Sequence, residues 1–196
     1  DGATYSALGT GMNDIVECLA FSPTGTLYAG GNFTTAGGGA AARVAQWNGS
    51  AWSAMGTGAN TRVYALTWGN NLLYIGGLFT NGGGVAAADY IGTWDGSVWG
   101  ALSTGADATG VYSLAVGPNG YLYAGGTFTA MGGVTAGGIA VWNGTAWAQL
   151  GQGFSSPASD YPDELRVSPS NILYLAANSS VVDPGNPSDL FIWNGS

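Results

Sequence analysis

Histidine and lysine are both absent from this chain of 196 residues, and arginine occurs only at Arg43, Arg62 and Arg166. Without histidine or lysine, a Ser-His-Asp triad, a Cys-His pair, a Schiff-base lysine and histidine-ligated metal sites are excluded. The formal net charge is −8, so the chain has too few cations to displace counterions from phosphates. We therefore expect no nucleic-acid partner, and carboxylates remain as the candidate catalytic groups.

Long apolar runs are also lacking. A transmembrane helix needs about 18 consecutive apolar residues, and glycines interrupt every such stretch of this sequence. Cys18 is the single cysteine, so no internal disulfide can form. Aromatic and aliphatic residues are nevertheless plentiful and evenly spread, which argues against disorder. We expect no membrane insertion. The lack of lysine and histidine together with a low isoelectric point indicates an extracellular or cell-surface protein.

What the chain does contain is an internal repeat. The sequence "LYAGGNFTTAGG" begins at Leu27, "LYIGGLFTNGGG" at Leu73 and "LYAGGTFTAMGG" at Leu122, and a degraded copy, "LYLAANSS", begins at Leu173. A tryptophan followed by Asn-Gly or Asp-Gly recurs in each copy, at Trp47, Trp94, Trp142 and Trp193. A fixed period of about fifty residues is the signature of a repeat architecture.

Each copy has the pattern of four short strands. In the first copy, "VECLAF" alternates as a half-buried strand does, and "SPTG" is a turn. "TLYAGGNFT" and "RVAQW" are the second and third strands, and "AWSAMG" is the fourth. The intervening "NGS" predicts a type I′ hairpin turn, because Asn-Gly tolerates positive φ. No segment has the periodicity of an amphipathic helix, which excludes a TIM barrel or a Rossmann fold.

Four antiparallel strands per repeat are typical of one blade of a β-propeller. We predict an all-β propeller of four four-stranded blades in one domain, residues 1–196. The repeats are roughly 10–56, 57–103, 104–151 and 152–196, the last completed by 1–9. The paired glycines are expected where neighbouring sheets come closest, with Phe33, Phe79, Phe128 and the tryptophans filling the gaps between blades.

The N-terminal sequence "DGATYSALGTG" matches the tail of a repeat, such as "NGSAWSAMGTG". We therefore expect residues 3–8 to form a strand that pairs with the strand ending at Trp193 and closes the ring. The same strand, with Tyr5 and Leu8, is also suited to complete the last blade of a neighbouring chain. Head-to-tail pairing of this kind builds filaments unless it closes, so self-association through the terminal strands is a second prediction.

The combination of "LYAGGxFTxxGG" and "IAxWNGxxWxxLGxG" resembles the repeats of kelch-like propellers related to the central domain of galactose oxidase. Such repeats occur in large surface proteins of bacteria and archaea and in some fungal cell-surface proteins. The resemblance covers nearly the whole chain and implies an extracellular propeller used for structure or adhesion. It does not imply oxidase activity, because the copper site of galactose oxidase requires histidines.

The acidic residues Asp160, Asp163 and Glu164 lie in "GFSSPASDYPDELRV", a loop longer than its counterparts in the other repeats. Insertions of this kind often mark a functional face. The three carboxylates are a weak candidate for Ca²⁺ binding, and two carboxylates suffice in principle for glycoside hydrolysis. A solvated acidic loop is the simpler interpretation.

Further candidate sites are five Asn-x-Ser/Thr glycosylation sequons, at Asn32, Asn48, Asn143, Asn178 and Asn194. Three of them fall in the Asn-Gly hairpins, where the asparagine also serves the turn. The repeated tryptophans have the residue type that stacks on sugars, but their equivalent positions favour burial between blades. Cys18 is expected to be a small packing residue rather than a nucleophile.

From these residues we expect a non-catalytic extracellular structural or adhesive module, a candidate subunit of a surface fibre, with other surface proteins or glycans as further candidate partners. The alternative is a carbohydrate-binding, lectin-like propeller. A carboxylate-based glycosidase is a distant third hypothesis. No cofactor other than Ca²⁺ is anticipated.

Overall fold

The computed structural model of the chain describes residues 4–107, 109–178 and 190–193. In this part of the chain the fold is all-β: it holds 19 strands and one short 3₁₀ helix, Gly82–Gly84, and no α-helix. Among the described residues, no helix has the length and apolar character needed to cross a membrane.

The strands fall into four consecutive groups. The first group is β1 Val16–Phe21, β2 Leu27–Gly31, β3 Thr35–Ala36, β4 Gly39–Ala40, β5 Val44–Trp47 and β6 Trp52–Ala54. The second group is β7 Val63–Gly69, β8 Leu72–Gly77, β9 Ile91–Trp94 and β10 Trp99–Gly100. The third group is β11 Val111–Val116, β12 Leu122–Gly126, β13 Ala130–Met131, β14 Val134–Thr135, β15 Ile139–Trp142 and β16 Trp147–Gln149. The fourth group is β17 Tyr161–Val167, β18 Leu173–Asn178 and β19 Leu190–Trp193.

Each group forms an antiparallel sheet in chain order. Sheet 1 is β1-β2-β5-β6, sheet 2 is β7-β8-β9-β10 and sheet 3 is β11-β12-β15-β16. Sheet 4 has the three described strands β17-β18-β19, and the pairs β3-β4 and β13-β14 are separate small hairpins. The strands predicted within the first repeat are therefore confirmed.

A β-bulge recurs near the start of the first strand of every sheet, for example between Val16 and Cys18 in β1 and between Val63 and Ala65 in β7. A bulge re-aims the neighbouring side chains and increases the local twist. The same bulge occurs in β11 and β17. The four sheets therefore share this local irregularity as well as their strand order.

The described Asn-Gly hairpins, at Asn48 and Asn143, do not contain the predicted type I′ turn. Trp47 pairs directly with Trp52, which leaves a four-residue loop in which only Gly49 has positive φ. The Oδ1 atom of Asn48 accepts hydrogen bonds from the N–H groups of Ser50 and Ala51, both at 2.9 Å. The asparagine side chain thus replaces a backbone turn, which is why its own φ need not be positive.

The hydrophobic core lies between consecutive sheets. One cluster joins sheets 1 and 2 through Tyr28, Val63 and Leu66, and equivalent clusters join sheets 2 and 3 and sheets 3 and 4. Phe33, Phe79 and Phe128 are fully buried. Phe79 and Phe128 lie in clusters that join two sheets, as predicted, whereas Phe33 packs on residues of its own repeat. Packing between layers therefore forms most of the core, and a smaller cluster lies within the first repeat.

The paired glycines serve two different contacts. A Cβ atom on Gly30 would lie 2.6 Å from Cγ1 of Val63 in the next sheet, and one on Gly76 would lie 2.8 Å from Cγ1 of Val111. The first glycine of each pair is thus at the close approach of neighbouring sheets, which confirms the prediction for that position. The second glycine has a different role, because a Cβ on Gly31 would overlap the carbonyl oxygen of Ile15.

The expected terminal strand pairing is not present in the described residues. Residues 4–8 form no strand, and Tyr5 is fully exposed. The carbonyl oxygen of Leu8 instead accepts a 2.9 Å hydrogen bond from the indole nitrogen of Trp52 in sheet 1. The N-terminal segment therefore lies against the outer strand of sheet 1, and the described part of the chain contains no ring closure.

Candidate functional site

The acidic residues that suggested calcium binding do not converge. Asp160 is buried just before β17, whereas Asp163 and Glu164 are exposed within that strand. Glu164 forms a 2.7 Å ion pair with Arg166. In the described ranges no three His, Cys, Asp or Glu side chains are grouped so that they could hold a metal ion. Asp160 is therefore separated from Asp163 and Glu164, because Asp160 precedes β17 whereas the other two residues lie within that strand.

A cavity of about 260 Å³ is lined by residues from the first strands of all four sheets. Its lining includes Glu17, Tyr64, Tyr112 and Glu164, one from each first strand. The tyrosine rings form a continuous row, with centroids 5.0 Å apart between Tyr64 and Tyr112 and 5.1 Å apart between Tyr112 and Tyr161. The first strands of the four sheets therefore line a shared space.

The charges at this cavity are already paired. Arg62 lies 3.6 Å from Glu17 and its guanidinium stands 5.6 Å from the ring centroid of Tyr64. Cys18 also lines the cavity, and burial, opposed by a backbone hydrogen bond from Gly30, raises the pKa of its thiol to about 12. A thiol with so high a pKa carries almost no thiolate at neutral pH and is a poor nucleophile, in accord with the expected packing role of Cys18.

A groove of about 540 Å³ separates the turn regions of sheets 2 and 3. Trp142 lines it together with Asn70, Tyr74 and Asn119. Asn70 is held in place, because its Nδ2 atom donates to the carbonyl oxygen of Gly120 at 2.7 Å. An aromatic ring beside amide groups is the arrangement that could contact a sugar.

The sequons differ in accessibility. Asn48 and Asn143 are exposed in their hairpins, and in each the Oδ1 atom accepts a 2.9 Å hydrogen bond from the hydroxyl group of the sequon Ser or Thr. Asn32 is partly buried and donates to Asp14. The side chain of Asn178 and the whole of Asn194 lie outside the described residues. Glycan attachment at these positions stays a prediction.

The main feature that sequence analysis missed is a pair of open sheet faces. We define the leading face of sheet 1 as Val16, Leu19 and Phe21. The side chain of Leu19 is 58% exposed. The equivalent leucines of the other sheets pack on the preceding sheet, and their exposed fractions are 9% for Leu66, 8% for Leu114 and 1% for Leu165. Val16 is likewise exposed, although its counterparts Val63 and Val111 are fully buried.

Sheet 4 has the complementary open surface. We define its trailing face as Tyr174, Ala176 and Leu190. Leu190 is 63% exposed, whereas its equivalents in the other sheets, Val44, Ile91 and Ile139, are 0%, 0% and 3% exposed because the following sheet covers them. Tyr174 is exposed too, although Tyr28, Tyr74 and Tyr123 are buried. These positions are apolar in every repeat, so the sequence does not distinguish them. Only the structure shows in which repeats a neighbouring sheet covers them.

The two faces are equivalent in repeat position to the two sides of the interface that joins consecutive sheets. Within the chain, leading-face residues of sheets 2, 3 and 4 pack on trailing-face residues of sheets 1, 2 and 3. The ring of Trp68, equivalent to Phe21, stacks on Tyr28 of the preceding sheet with centroids 5.7 Å apart. Among the described sheets this interface thus occurs three times, and the equivalent positions of the first and last described sheets are exposed.

No family model matches this sequence, and no curated protein matches it. Among solved structures, the chain is similar to the extracellular domain of a proposed hybrid two component system from B. thetaiotaomicron, with a TM-score of 0.50 and 14% identity over 89% of this chain. It spans 22% of that protein's chain. A structure of YCF48 bound to a D1 peptide is matched with a TM-score of 0.41 and 16% identity, over 92% of this chain and 67% of that one. At 14% identity the likeness to the first of these structures concerns the fold alone.

Proposed function

We propose that this chain is a non-catalytic structural module of the cell surface, built as a β-propeller of four blades in the kelch-like manner. The arrangement of four similar sheets, whose first strands line one cavity, supports the propeller. The observation that carries the structural role is the apolar packing that recurs between consecutive sheets, because repeat modules of this kind are stabilised by contacts between neighbouring repeats.

The N-terminal segment supports a role in assembly. The indole nitrogens of Trp99 and Trp147 donate to the carbonyl oxygens of Met55 and Leu102, which follow the outer strands of the preceding sheets. Leu8 makes the same contact with Trp52. Residues 4–8 therefore stand where the outer strand of a preceding sheet would end. In our proposal they complete the fourth blade, either of the same chain or of a neighbour.

An extracellular location is the second part of the proposal. The sequence has no lysine or histidine, and its exposed Asn48 and Asn143 sequons are placed where a glycan would not disturb the sheets. The similar structure from B. thetaiotaomicron is itself an extracellular domain. A secreted repeat module would meet other surface proteins.

A lectin-like role is the alternative that a specific observation favours. Trp142 is only partly buried and lines the groove between sheets 2 and 3. If the groove binds sugars, Trp142→Ala should abolish the binding while Trp68→Ala, which alters a ring outside that groove, should leave it unchanged.

A glycan array with the purified chain separates the two functions. The structural role is expected to give no sugar-specific signal. Sugar-specific binding that disappears in Trp142→Ala would contradict the structural proposal and support the lectin. Sugar binding that both tryptophan variants retain would contradict the structural proposal and would place the sugar elsewhere.

A further inference from the structure

We infer that the tyrosine row beside the cavity binds the guanidinium group of an arginine on a partner polypeptide, with Asp163 as the counterion. The tyrosine row consists of Tyr64 and Tyr112, which line the cavity, and Tyr161, whose ring lies 5.1 Å from that of Tyr112. This inference goes beyond the proposed function, because it assigns a ligand to a site that neither the structural role nor the lectin alternative uses.

The chain already holds one of its own guanidinium groups in this way. The guanidinium carbon of Arg62 lies 5.6 Å from the ring centroid of Tyr64, and Nη1 of Arg62 lies 3.6 Å from a carboxylate oxygen of Glu17. The negative face of an aromatic ring attracts a cation, and the carboxylate balances its charge. One ring of the row and one neighbouring carboxylate together therefore accept a guanidinium group.

The third repeat keeps the ring but has no arginine beside it. The register of the first two strands aligns Tyr112 with Tyr64, and Gly110 with Arg62. Because glycine has no side chain, the third repeat supplies no cation to its tyrosine. Tyr112 and Tyr161 are both only partly buried, and their ring planes are inclined by 31°. These two rings offer aromatic surface to a cation from outside the chain.

Asp163 occupies the position in sheet 4 that Glu17 occupies in sheet 1. Each is the extra residue of the β-bulge in a first strand, so the two carboxylates have equivalent places in their sheets. Glu17 is paired with Arg62, whereas Asp163 has no ion-pair partner among the described residues. The whole chain has only three arginines and no lysine or histidine. A cation for Asp163 is therefore expected from a second molecule.

The electrostatics place Asp163 near the tyrosine row. Burial raises the pKa of the Tyr112 phenol, and the charge of Asp163 raises it further. The protein around Asp163 also removes part of the water from its carboxylate, which raises the pKa of that group. A carboxylate that has lost hydration is stabilised by a paired cation. Tyr112, Tyr161 and Asp163 thus repeat the combination of ring and carboxylate that holds Arg62.

The size and charge of the site favour a single arginine side chain of a polypeptide. The cavity of about 260 Å³ is smaller than the roughly 300–1,000 Å³ of cavities that hold drug-sized ligands. Arg62 and Arg166 are engaged in ion pairs, so neither is free to hold the α-carboxylate of free arginine. An arginine within a polypeptide has no such carboxylate, and the net charge of −8 attracts a basic partner.

Titration of the full chain with N-acetyl-arginine amide, followed by ¹H–¹⁵N NMR, tests the site. We expect a dissociation constant on the order of 1 mM, with the largest shift changes at Tyr112, Tyr161 and Asp163. The citrulline analogue has a similar shape without the charge and should bind at least roughly tenfold more weakly. The lysine analogue should also bind more weakly, because a hydrated ammonium group does not stack on aromatic rings as a guanidinium does.

Asp163→Asn and Tyr112→Leu should each raise the dissociation constant by roughly threefold or more. Asp95→Asn is the matched control for the loss of one negative charge. Asp95 lies in the hairpin at the opposite end of sheet 2 from the tyrosine row, and Asn48 and Asn143 have its position in other repeats. This control should bind the probe as the unchanged chain does. Far-UV circular dichroism verifies that each variant is folded.

Arg62→Gln tests the internal precedent in the opposite direction. Removal of the Arg62 guanidinium leaves Glu17 and Tyr64 without their cation, so the probe should bind there as well. The amide signal of Glu17 should then shift during the titration, as that of Asp163 does in the unchanged chain. A Glu17 signal that stays in place in this variant would contradict the use of Arg62 as the precedent.

Four other results would overturn the inference. They are no binding of the arginine probe at tens of millimolar (about ten times the expected dissociation constant), equal binding of the citrulline probe, equal binding of the lysine probe, and equal weakening by Asp163→Asn and Asp95→Asn. The last would mean attraction to the negative chain as a whole. Tighter binding of free L-arginine than of its blocked amide would refute the polypeptide partner.

The glycan array tests the proposed function separately. Sugar binding would refute the structural role and leave the arginine site standing, whereas a failed arginine titration would refute only this site.

Discussion

The indole nitrogen of Trp99 donates a 2.7 Å hydrogen bond to the carbonyl oxygen of Met55, 44 residues earlier in the chain. Trp147 contacts Leu102 at 3.0 Å and Trp52 contacts Leu8 at 2.9 Å in the same way. In sheets 2 and 3, this bond links the outermost strand to the residues just after the outermost strand of the preceding sheet. In sheet 1, it links the outermost strand to the N-terminal segment. The repeated tryptophan thus joins neighbouring sheets at their outer edge, in addition to filling space.

Replacing Trp99 by phenylalanine should destabilise the fold. Met55 is fully buried, so its carbonyl oxygen would lose the indole donor where water has little access, at a cost of about 1–3 kcal/mol in the free energy of unfolding. Trp52→Phe is the control, because Trp52 and Leu8 are more exposed and water can replace the lost donor. Urea denaturation measures both, and equal losses in the two variants would contradict the explanation.

Gly76→Ala should destabilise the contact between sheets 2 and 3. The new Cβ would lie 2.8 Å from Cγ1 of Val111, and overpacking of this kind costs about 1–3 kcal/mol. Gly39→Ala is the matched control, since the nearest atom to its Cβ is 3.7 Å away. Adding Val111→Ala to Gly76→Ala should relieve part of the clash, so the double variant should be less destabilised than the sum of the two single variants. Strict additivity would argue against this close approach.

We expect the free energy of unfolding to decrease at acidic pH because of Asp107. Burial alone raises the pKa of Asp107, but hydrogen bonds from the Thr129 hydroxyl group and from the N–H groups of Ala130 and Thr129 bring it below its ordinary value. A carboxylate with a lowered pKa in the folded state stabilises it above the unfolded-state pKa, and this contribution is lost as the pH falls through the folded-state value, below about pH 4.

Asp107→Asn tests that contribution. Asparagine is a suitable replacement because Asn13 and Asn60 form hydrogen bonds with the equivalent threonines in the first two repeats. The unchanged chain should lose more stability between neutral pH and about pH 3 than the variant does, as followed by thermal unfolding across that range. The same acid dependence in both proteins would mean that Asp107 is not the responsible group.

Cys18 should react slowly with thiol reagents while the chain is folded. Burial is the main cause that raises the pKa of its thiol to about 12. Because the thiol ionises more readily in the unfolded chain, its contribution to stability is complete below the unfolded-state pKa of about 8.5 and is lost as the pH rises from there toward the folded-state value. Iodoacetamide at mildly alkaline pH should therefore modify native Cys18 far more slowly than the urea-unfolded protein. Equal rates would show that the thiol is accessible.

The repeat itself was readable from the sequence. Alternation in "VECLAF" and the glycine pairs predicted the strands and the close approach of Gly30 to the next sheet, because strand periodicity and glycine requirements are local properties. The position of the Asn-Gly turn was predicted correctly, but its type was not. The Asn-Gly pair does not indicate that the asparagine Oδ1 atom accepts hydrogen bonds from the N–H groups of the turn.

Which copies of the repeat are covered was decided only by the tertiary structure. Leu19 and Leu66 occupy the same position of the same motif, and sequence alone gives both the character of a buried residue. The difference of 58% against 9% exposure arises because a sheet precedes sheet 2 and none of the described sheets covers the leading face of sheet 1. Local sequence thus determined the strands, turns and glycine positions of each repeat. The open faces depend on the order in which sheets stack, and stacking is a relation between distant segments that no single motif contains.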